Sequence, residues 1–137
     1  MKIQQAAAIP YRRRKGKLEF CLVTSRRTGV WTFPKGMIDD GWDSRETALN
    51  EAEEEAGLHG ELEGAPVGTY KYEKWSRRLT VEVHLMRVDK AQKEWDEEDF
   101  RKRRWFEPDE AREALPYDEL RALLDRAILR LQDHDRD

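Results

Sequence analysis

One segment of the sequence, SRETALNEAEEEA, is bounded at both ends by residues that start and stop helices. Asp43 can accept a hydrogen bond from the first turn, and Glu46 three residues later completes a capping box. Gly57 suits the left-handed conformation that follows a last helical residue. The segment therefore predicts a helix with one apolar face. The residues expected to pack on the core are Ala48, Leu49, Ala52 and Ala56.

Three glutamates give this helix an unfavourable charge distribution. Glu51, Glu54 and Glu55 are spaced so that their carboxylates project from one face. Like charges at this spacing destabilise a helix by roughly 0.2–0.5 kcal/mol per pair. Two of them also lie near the C-terminal end of the helix dipole, which disfavours anions. A hard divalent cation such as Mg²⁺ would relieve both costs, whereas a solvated acidic face is the alternative interpretation.

β-prone runs surround this helix. Residues 4–13 and 18–24 predict a hairpin around the turn RKGK. Residues 66–75 and 78–88 predict two further strands, and the second alternates apolar and polar positions. Its apolar positions are Leu79, Val81, Val83, Leu85 and Val88.

The remaining elements complete a mixed α/β pattern. Residues 31–33 and 103–106 predict short strands that end before prolines, and residues 36–42 predict a loop. Residues 117–131 predict a closing amphipathic helix. Its apolar side carries Leu120, Leu123, Leu124, Ala127, Ile128 and Leu131. This order of strands and helices predicts an α/β sandwich with a mixed sheet.

Composition excludes several classes of protein. A length of 137 residues suits one core, so we expect a single domain over residues 1–137. The net charge of −3 gives no basic field that would favour nucleic acid. The single cysteine, Cys21, cannot form an internal disulfide, and no segment approaches the roughly 20 apolar residues of a membrane span. These features predict a cytoplasmic protein without a membrane partner.

The loop upstream of the helix adds phosphate chemistry to the acidic face. Lys35 supplies a cation, and Gly36 allows the backbone to approach a ligand closely. Gly36, Glu51, Glu54, Glu55 and the pair Gly57-Leu58 fall at the spacings of the motif G-x5-E-x7-R-E-U-x-E-E-x-G-U, in which U is a bulky aliphatic residue. The chain thereby resembles the Nudix hydrolases over most of its length. The resemblance implies a Nudix-type α/β/α sandwich.

Two positions depart from the motif of that family. Trp42 stands where the family has a glutamate, and Asn50 stands where it has an arginine. Losing both partners of an ion pair removes the cost of stranding one of them. We therefore expect a divergent but intact motif in which Trp42 replaces the pair by packing. A degenerate motif with little activity is the opposing interpretation.

The resemblance implies roles for the three glutamates that match the motif. Glu51, Glu54 and Glu55 would bind Mg²⁺, with Mn²⁺ as a possible substitute. Glu54 and Glu51 are the catalytic candidates, and Glu54 is our choice of general base within the motif. Glu97 and Glu98, in the acidic stretch before the strand at 103–106, are candidates outside it.

Cationic residues near the motif indicate a densely anionic substrate. The sequence around Arg26-Arg27 and around residues 101–106 is similar to the branch that hydrolyses diphosphoinositol polyphosphates and dinucleoside polyphosphates. The candidates for substrate binding are Lys35, Gly36, Arg26, Arg27, Arg77 and Arg78. Tyr70, Tyr72 and Trp75 could stack on a base, which would favour a nucleotide.

Two other functions stay open. A Nudix-type fold that binds a phosphorylated ligand without cutting it would account for Trp42 and Asn50. Hydrolysis at the 5′ end of RNA would require a basic track for the strand, which the dispersed cations do not supply. We therefore expect a small polyphosphorylated substrate rather than nucleic acid.

Overall fold

Among residues 2–135, which the computed structural model describes, eight strands form one mixed sheet. The strands are β1 Gln5–Arg14, β2 Lys17–Thr24, β3 Trp31–Thr32, β4 Lys35–Met37, β5 Leu58–Leu62, β6 Gly68–Lys74, β7 Arg77–Ala91 and β8 Arg103–Phe106. The helices are α1 Ser44–Ala56, α2 Pro108–Ala114 and α3 Asp118–Asp135. Helix α1 covers one face of the sheet, and α2 and α3 cover the other. The predicted α/β/α sandwich is confirmed.

The centre of the sheet is the parallel pair of β1 and β7. All other pairings are antiparallel. Strand β7 also pairs with β5 and β6, whereas β1 pairs with β4 near its start and with β2 near its end. This topology places Gly36 of β4 opposite Ala6 of β1, beside the face that α1 covers.

Small side chains form the contact between α1 and the sheet. Ala6 and Ala8 of β1 are fully buried on this face, in the same cluster as the three alanines Ala48, Ala52 and Ala56 of α1. Because the distance between packed elements depends on the side chains at the contact, these alanines let the helix lie close to β1 and β4. The predicted core face of the helix is confirmed, although Leu49 is only partly buried.

The opposite face holds the larger core. The alternate residues Ile9 and Tyr11 of β1 pack in it with Phe20 and Phe33. The residues that α3 contributes are Leu120, Leu123, Leu124, Ala127 and Leu131, with Ile128 partly buried against them. The predicted amphipathic helix is confirmed. None of the described helices is both long and apolar enough to cross a bilayer.

Local signals set both ends of α1. Asp43 accepts a hydrogen bond from the Glu46 N–H at 2.8 Å, and Glu46 accepts one from the Asp43 N–H at 3.2 Å. Gly57 adopts a φ of 66° and ends the helix. No basic residue lies in the last turn, and Arg103 of β8 instead donates to the Ala56 carbonyl at 2.6 Å. This cation satisfies an orphan carbonyl and offsets the helix dipole beside the glutamates.

Two details of the predicted fold are wrong, and two elements were not predicted. The first two residues of the predicted loop at 36–42, Gly36 and Met37, belong to β4, because pairing with β1 holds them extended. Residues 58–62 form β5, which was not predicted, by pairing with β7. The strand at 103–106 ends before Pro108 as predicted. The same proline also begins helix α2, which was not predicted, since proline suits the first helical position. Val88 lies on the face covered by α1, because side chains alternate between the two faces of a strand and Val88 is an odd number of positions from Leu85.

Candidate metal and phosphate site

The glutamates of α1 face β4 and the loop of residues 92–102. The Lys35 N–H donates to Glu55 Oε1 at 3.3 Å, and the Glu51 carboxylate lies against the Cα of Gly36. The loop reaches the same helix from the other side, where the Glu97 N–H donates to the Glu54 carbonyl at 3.1 Å. The fold therefore brings the carboxylates of Glu51 and Glu55 to Gly36 and Lys35, whereas Glu54 meets the loop through its backbone carbonyl.

This part of the molecule is short of positive charge. Glu55 is only 4% exposed and shares a hydrogen bond with Glu51. Burial raises the pKa of Glu55 to about 8, although Arg101 opposes the shift. Burial also raises the pKa of Glu51 to about 7, and the charges of Glu54 and Glu97 add to this effect. A bound cation would stabilise the ionised form of these two carboxyls, which otherwise keep a proton near neutral pH.

The carboxylates of Glu51, Glu54 and Glu55, the acidic row of α1, have different neighbours. The Asn50 amide donates to Glu54 Oε1 at 3.1 Å, and the Arg101 guanidinium lies 3.5 Å from Glu55 Oε2. In this arrangement, no three Asp, Glu, His or Cys side chains among the described residues converge on a common metal position. The donors nevertheless fit Mg²⁺ chemically, because they are carboxylate oxygens, which this ion prefers as ligands. Binding an ion requires rotation of these side chains.

Gly36 is required by close packing against Glu51. A methyl group at this position would overlap the carboxyl carbon and both carboxyl oxygens of Glu51. The obstacle is the mobile end of a side chain, so the main chain of β4 can stay in place. Substitution here would therefore redirect Glu51 and leave the fold intact.

Replacing Gly36 by alanine should lower kcat/KM by about a hundredfold, because small displacements of catalytic groups have effects of this size. The thermal midpoint should change little, since Glu51 can swing away. Steady-state kinetics and circular dichroism melting on the same preparation test both expectations. Unchanged turnover would show that the Glu51 position is not critical.

A cavity of about 390 Å³ begins beside Lys35. Its aromatic walls come from Tyr70, Tyr72 and Tyr117. The Lys35 ammonium lies 5.1 Å from the centre of the Tyr72 ring, and burial lowers the pKa of Lys35. The other cationic residues along the lining are Arg27, Lys71 and Lys74. Aromatic walls with several cations suit a ligand that combines a ring with anionic groups.

The predicted substrate-binding cations occupy different places. Arg27 lines the cavity with Lys35, whereas the Arg26 guanidinium stacks 4.3 Å from the centre of the Phe100 ring. Arg77 and Arg78 are exposed at the start of β7 and do not line the cavity. Of the aromatic candidates, Trp75 is exposed outside the cavity. Sequence reasoning missed Tyr117, Lys71 and Lys74, since only the fold joins α3 to β6 at this point.

The two departures from the motif have different environments. Trp42 is 46% exposed and belongs to neither hydrophobic cluster, so the predicted replacement of an ion pair by Trp42 packing is wrong. Its backbone N–H closes a surface turn onto Asp39, which keeps this position at the periphery. Asn50, in contrast, holds Glu54 through its side-chain amide.

The metal-free protein should become less stable as the pH rises. Folded Glu51 and Glu55 keep their protons to about pH 7 and 8, whereas the unfolded carboxyls release them near the ordinary pKa of 4.5. Within this window the folded chain binds more protons, so the free energy of unfolding falls with increasing pH. The stabilising contribution is complete below about pH 4.5 and is lost above about pH 8.

Thermal melting in chelator checks this expectation. The midpoint should be at least about 3 °C lower at pH 9 than at pH 6. Glu55→Gln, which imitates the protonated carboxyl, should reduce this difference. Equal pH dependence in the wild type and the variant would contradict the assignment to Glu55.

Comparison with known proteins identifies relatives along most of the chain. A bis(5′-nucleosyl)-tetraphosphatase [asymmetrical] of Caenorhabditis elegans is 28% identical over 128 residues, which cover 90% of this chain and 93% of that protein. The crystal structure of a C. elegans Ap4A hydrolase binary complex superposes with a TM-score of 0.80 and 26% identity, and covers 96% of this chain and 99% of that one.

Plant proteins give a similar result over part of their length. Nudix hydrolase 12, mitochondrial, of Arabidopsis thaliana is 31% identical over 130 residues, which cover 88% of this chain and 63% of that protein. This chain thus spans about three fifths of the length of such plant relatives. The single domain over residues 1–137 stays a prediction. The model of the NUDIX domain matches residues 2–127, and on that match this chain belongs to the Nudix family.

Proposed function

We propose that this chain is a Mg²⁺-dependent pyrophosphohydrolase that cleaves a phosphoanhydride bond of a dinucleoside polyphosphate. Mn²⁺ would substitute for Mg²⁺, since both accept oxygen ligands. The relatives named as a tetraphosphatase and an Ap4A hydrolase, at 28% and 26% identity, support this class of substrate.

The observation that carries the proposal is the double contact of Lys35. Its backbone N–H donates to Glu55, while its side chain lines the cavity above Tyr72. A ligand whose ring enters the cavity would therefore pass its phosphates along Lys35 toward the acidic row. This path puts the anionic part of the substrate beside the carboxylates that hold the metal.

The glutamates of the acidic row and Lys35 have separate tasks in this mechanism. Glu51, Glu54 and Glu55 would hold Mg²⁺, which when bound neutralises phosphate charge and lowers the pKa of a water. Lys35 orients the substrate chain by its ammonium. As the oxygen of the attacking water bonds to phosphorus, a proton of that water passes to the general base, the bridging P–O bond breaks, and two phosphorylated products leave.

Glu54 is the preferred general base. Its carboxylate is oriented by the Asn50 amide, which leaves the second oxygen of Glu54 free of that bond. Glu97 is already paired with Arg101 at 2.8 Å, which disfavours it as a proton acceptor. Glu98 is exposed, and no contact among the described residues connects it with the row.

The aromatic lining favours a nucleotide over an inositol ring. Tyr72 and Tyr117 offer π-faces to a base, whereas an inositol has no aromatic ring to stack. A diphosphoinositol polyphosphate is the second candidate, because the cavity carries Arg27, Lys71 and Lys74 in addition to Lys35. Hydrolysis at the 5′ end of RNA has less support, as the net charge is −3.

A binding module without turnover is the alternative function. The exposed position of Trp42 is compatible with it. The hydrogen bond from Asn50 to Glu54 argues for an enzyme, because a residue that departs from the family motif still orients a carboxylate of the row.

Product analysis on a substrate panel tests the proposal. The panel would contain diadenosine tetraphosphate, ATP, ADP-ribose and a diphosphoinositol polyphosphate, each with Mg²⁺, with Mn²⁺ and with EDTA. We expect metal-dependent turnover, fastest on the dinucleoside polyphosphate. Preference for the inositol substrate would transfer the assignment to the second candidate, and binding without turnover of any compound would favour the module.

The names of relatives in A. thaliana include mitochondrial and chloroplastic forms. A cytoplasmic location of this chain stays a prediction, which imaging of a tagged protein in the source cell would test.

A further inference from the structure

Arg101 inserts a guanidinium among the carboxylates of the site. Its Nε donates to Glu97 Oε1 at 2.8 Å, and its Nη2 lies 3.5 Å from Glu55 Oε2. On the other side, its Nη1 donates to the Thr24 carbonyl at 3.0 Å. The side chain is only 14% exposed. A single residue therefore ties the end of β2, the 92–102 loop and helix α1 together.

One end of the Arg101 guanidinium is anchored to Thr24 and not to the acidic row. The Thr24 contact is reinforced by two further bonds, in which the Thr24 N–H donates to the Lys102 carbonyl and the Lys102 N–H donates to Thr24 Oγ1. These bonds do not involve any candidate metal ligand. The guanidinium is thus held beside the row whichever partner Glu55 has.

The positive charge of Arg101 compensates the buried negative charge of the carboxylates, as a bound metal ion would. Glu55 is almost fully buried, and a buried carboxylate without a cation is strongly destabilising. Arg101 opposes the rise in the pKa of Glu55 and neutralises Glu97. For Glu55 to ligate a metal, its carboxylate must give up this ion pair.

We infer that Arg101 is the internal counter-ion of the acidic row and competes with a divalent cation for Glu55. This inference rests on the metal site of the proposed function. Arg101 is a positioning residue in this scheme: it keeps Glu55 and Glu97 ordered in the absence of metal and weakens metal binding by its charge. Protein affinity for Mg²⁺ would then be a balance between two cations that share one carboxylate.

Metal titration of Arg101→Met and Arg104→Met separates local competition from loss of net charge. Arg104 lies on β8, three positions after Arg101, and stacks on Phe106. No ion pair with the acidic row is found for it among the described residues. Free Mn²⁺, measured by its electron paramagnetic resonance signal, reports binding without turnover. We expect Arg101→Met to lower the Kd for Mn²⁺ about tenfold, because a like charge has left the site. Arg104→Met should stay within about twofold of wild type, since its charge is more distant and screened.

A second measurement does not depend on the methionine variant being folded. In wild-type protein with ¹⁵N-labelled arginine, the Arg101 Nε–H resonance should shift when Mg²⁺ replaces EDTA, with Arg101→Lys giving the assignment. A Kd that is unchanged or higher in folded Arg101→Met, or an Arg101 resonance unmoved at saturating Mg²⁺, would overturn the inference. Failure of the proposed function gives a different result. Wild-type protein would then show no Mn²⁺ binding, or only binding that Glu51→Gln does not remove.

Discussion

Replacing Glu54 by glutamine should lower kcat/KM on a dinucleoside polyphosphate by about a thousandfold, within the range known for loss of a general base. Glutamine keeps the size of the side chain and an oxygen for the Asn50 amide, which donates to Glu54 at 3.1 Å. It cannot accept a proton, and its neutral amide is a weaker ligand for Mg²⁺. Steady-state turnover at saturating Mg²⁺ measures this loss.

Glu53→Gln is the matched control for this variant. Glu53 lies on the same helix with a side chain that is 53% exposed, and its nearest ionic neighbour is His59 at 3.9 Å. The change in charge is identical, but the residue is outside the acidic row, so we expect activity within about twofold of wild type. If Glu54→Gln keeps more than a tenth of wild-type activity, Glu54 is not the base and Glu97 becomes the leading candidate.

Replacing Gly60 by alanine should destabilise the fold by about 3–5 kcal/mol, at the upper end of overpacking effects. A methyl group there would overlap the carbonyl oxygen of Arg87 and lie 3.0 Å from the Cα of Val88. Both obstacles belong to the main chain of β7, at the irregularity in pairing between β5 and β7. Neither can rotate aside, in contrast with the Glu51 side chain that faces Gly36.

Urea denaturation of Gly60→Ala and Gly16→Ala tests this contrast. Gly16 has a φ of 79° and open space around its Cα. Its alanine variant should lose only about 1–2 kcal/mol, from left-handed backbone strain. Equal losses for the two variants would mean that β7 gives way and that the bulge is not rigid.

Local signals in the sequence predicted helix α1 and its acidic row. Caps, helical periodicity and the spacing of glutamates all lie within 15 consecutive positions, from Asp43 to Gly57. Their outcome depends little on the rest of the chain. The same holds for the alternation of β7 as far as Leu85 and for the amphipathic pattern of α3, which form as predicted.

Features that depend on distant pairing could not be predicted. Strand β4 is only three residues long and is extended because β1 lies beside it. Arg101 is 46 positions from Glu55 in the sequence, and nothing local distinguishes it from its basic neighbours. The cavity likewise joins Lys35, Tyr72 and Tyr117, which meet only after the sheet and α3 have packed.

The alternation rule also assigns faces but does not say what covers them. His84 falls on the side of β7 that was predicted to be polar, yet it is buried beneath the start of α1. Its Nε2 is 2.7 Å from Ser44 Oγ. In a sheet covered on both faces, the polar side of a strand can be as dry as the apolar side.

The parallel pairing of β1 with β7 also affects how the protein is made. Gln5 pairs with Val81, which follows 76 positions later and reaches the growing chain about 4–15 s afterwards at ordinary rates of translation. During that interval β1 can pair with β2 and β4, but its other edge has no partner. Helix α1 is synthesised in the same interval, before β7 exists. The acidic row therefore acquires its final surroundings only after β7, the 92–102 loop and β8 have emerged from the ribosome.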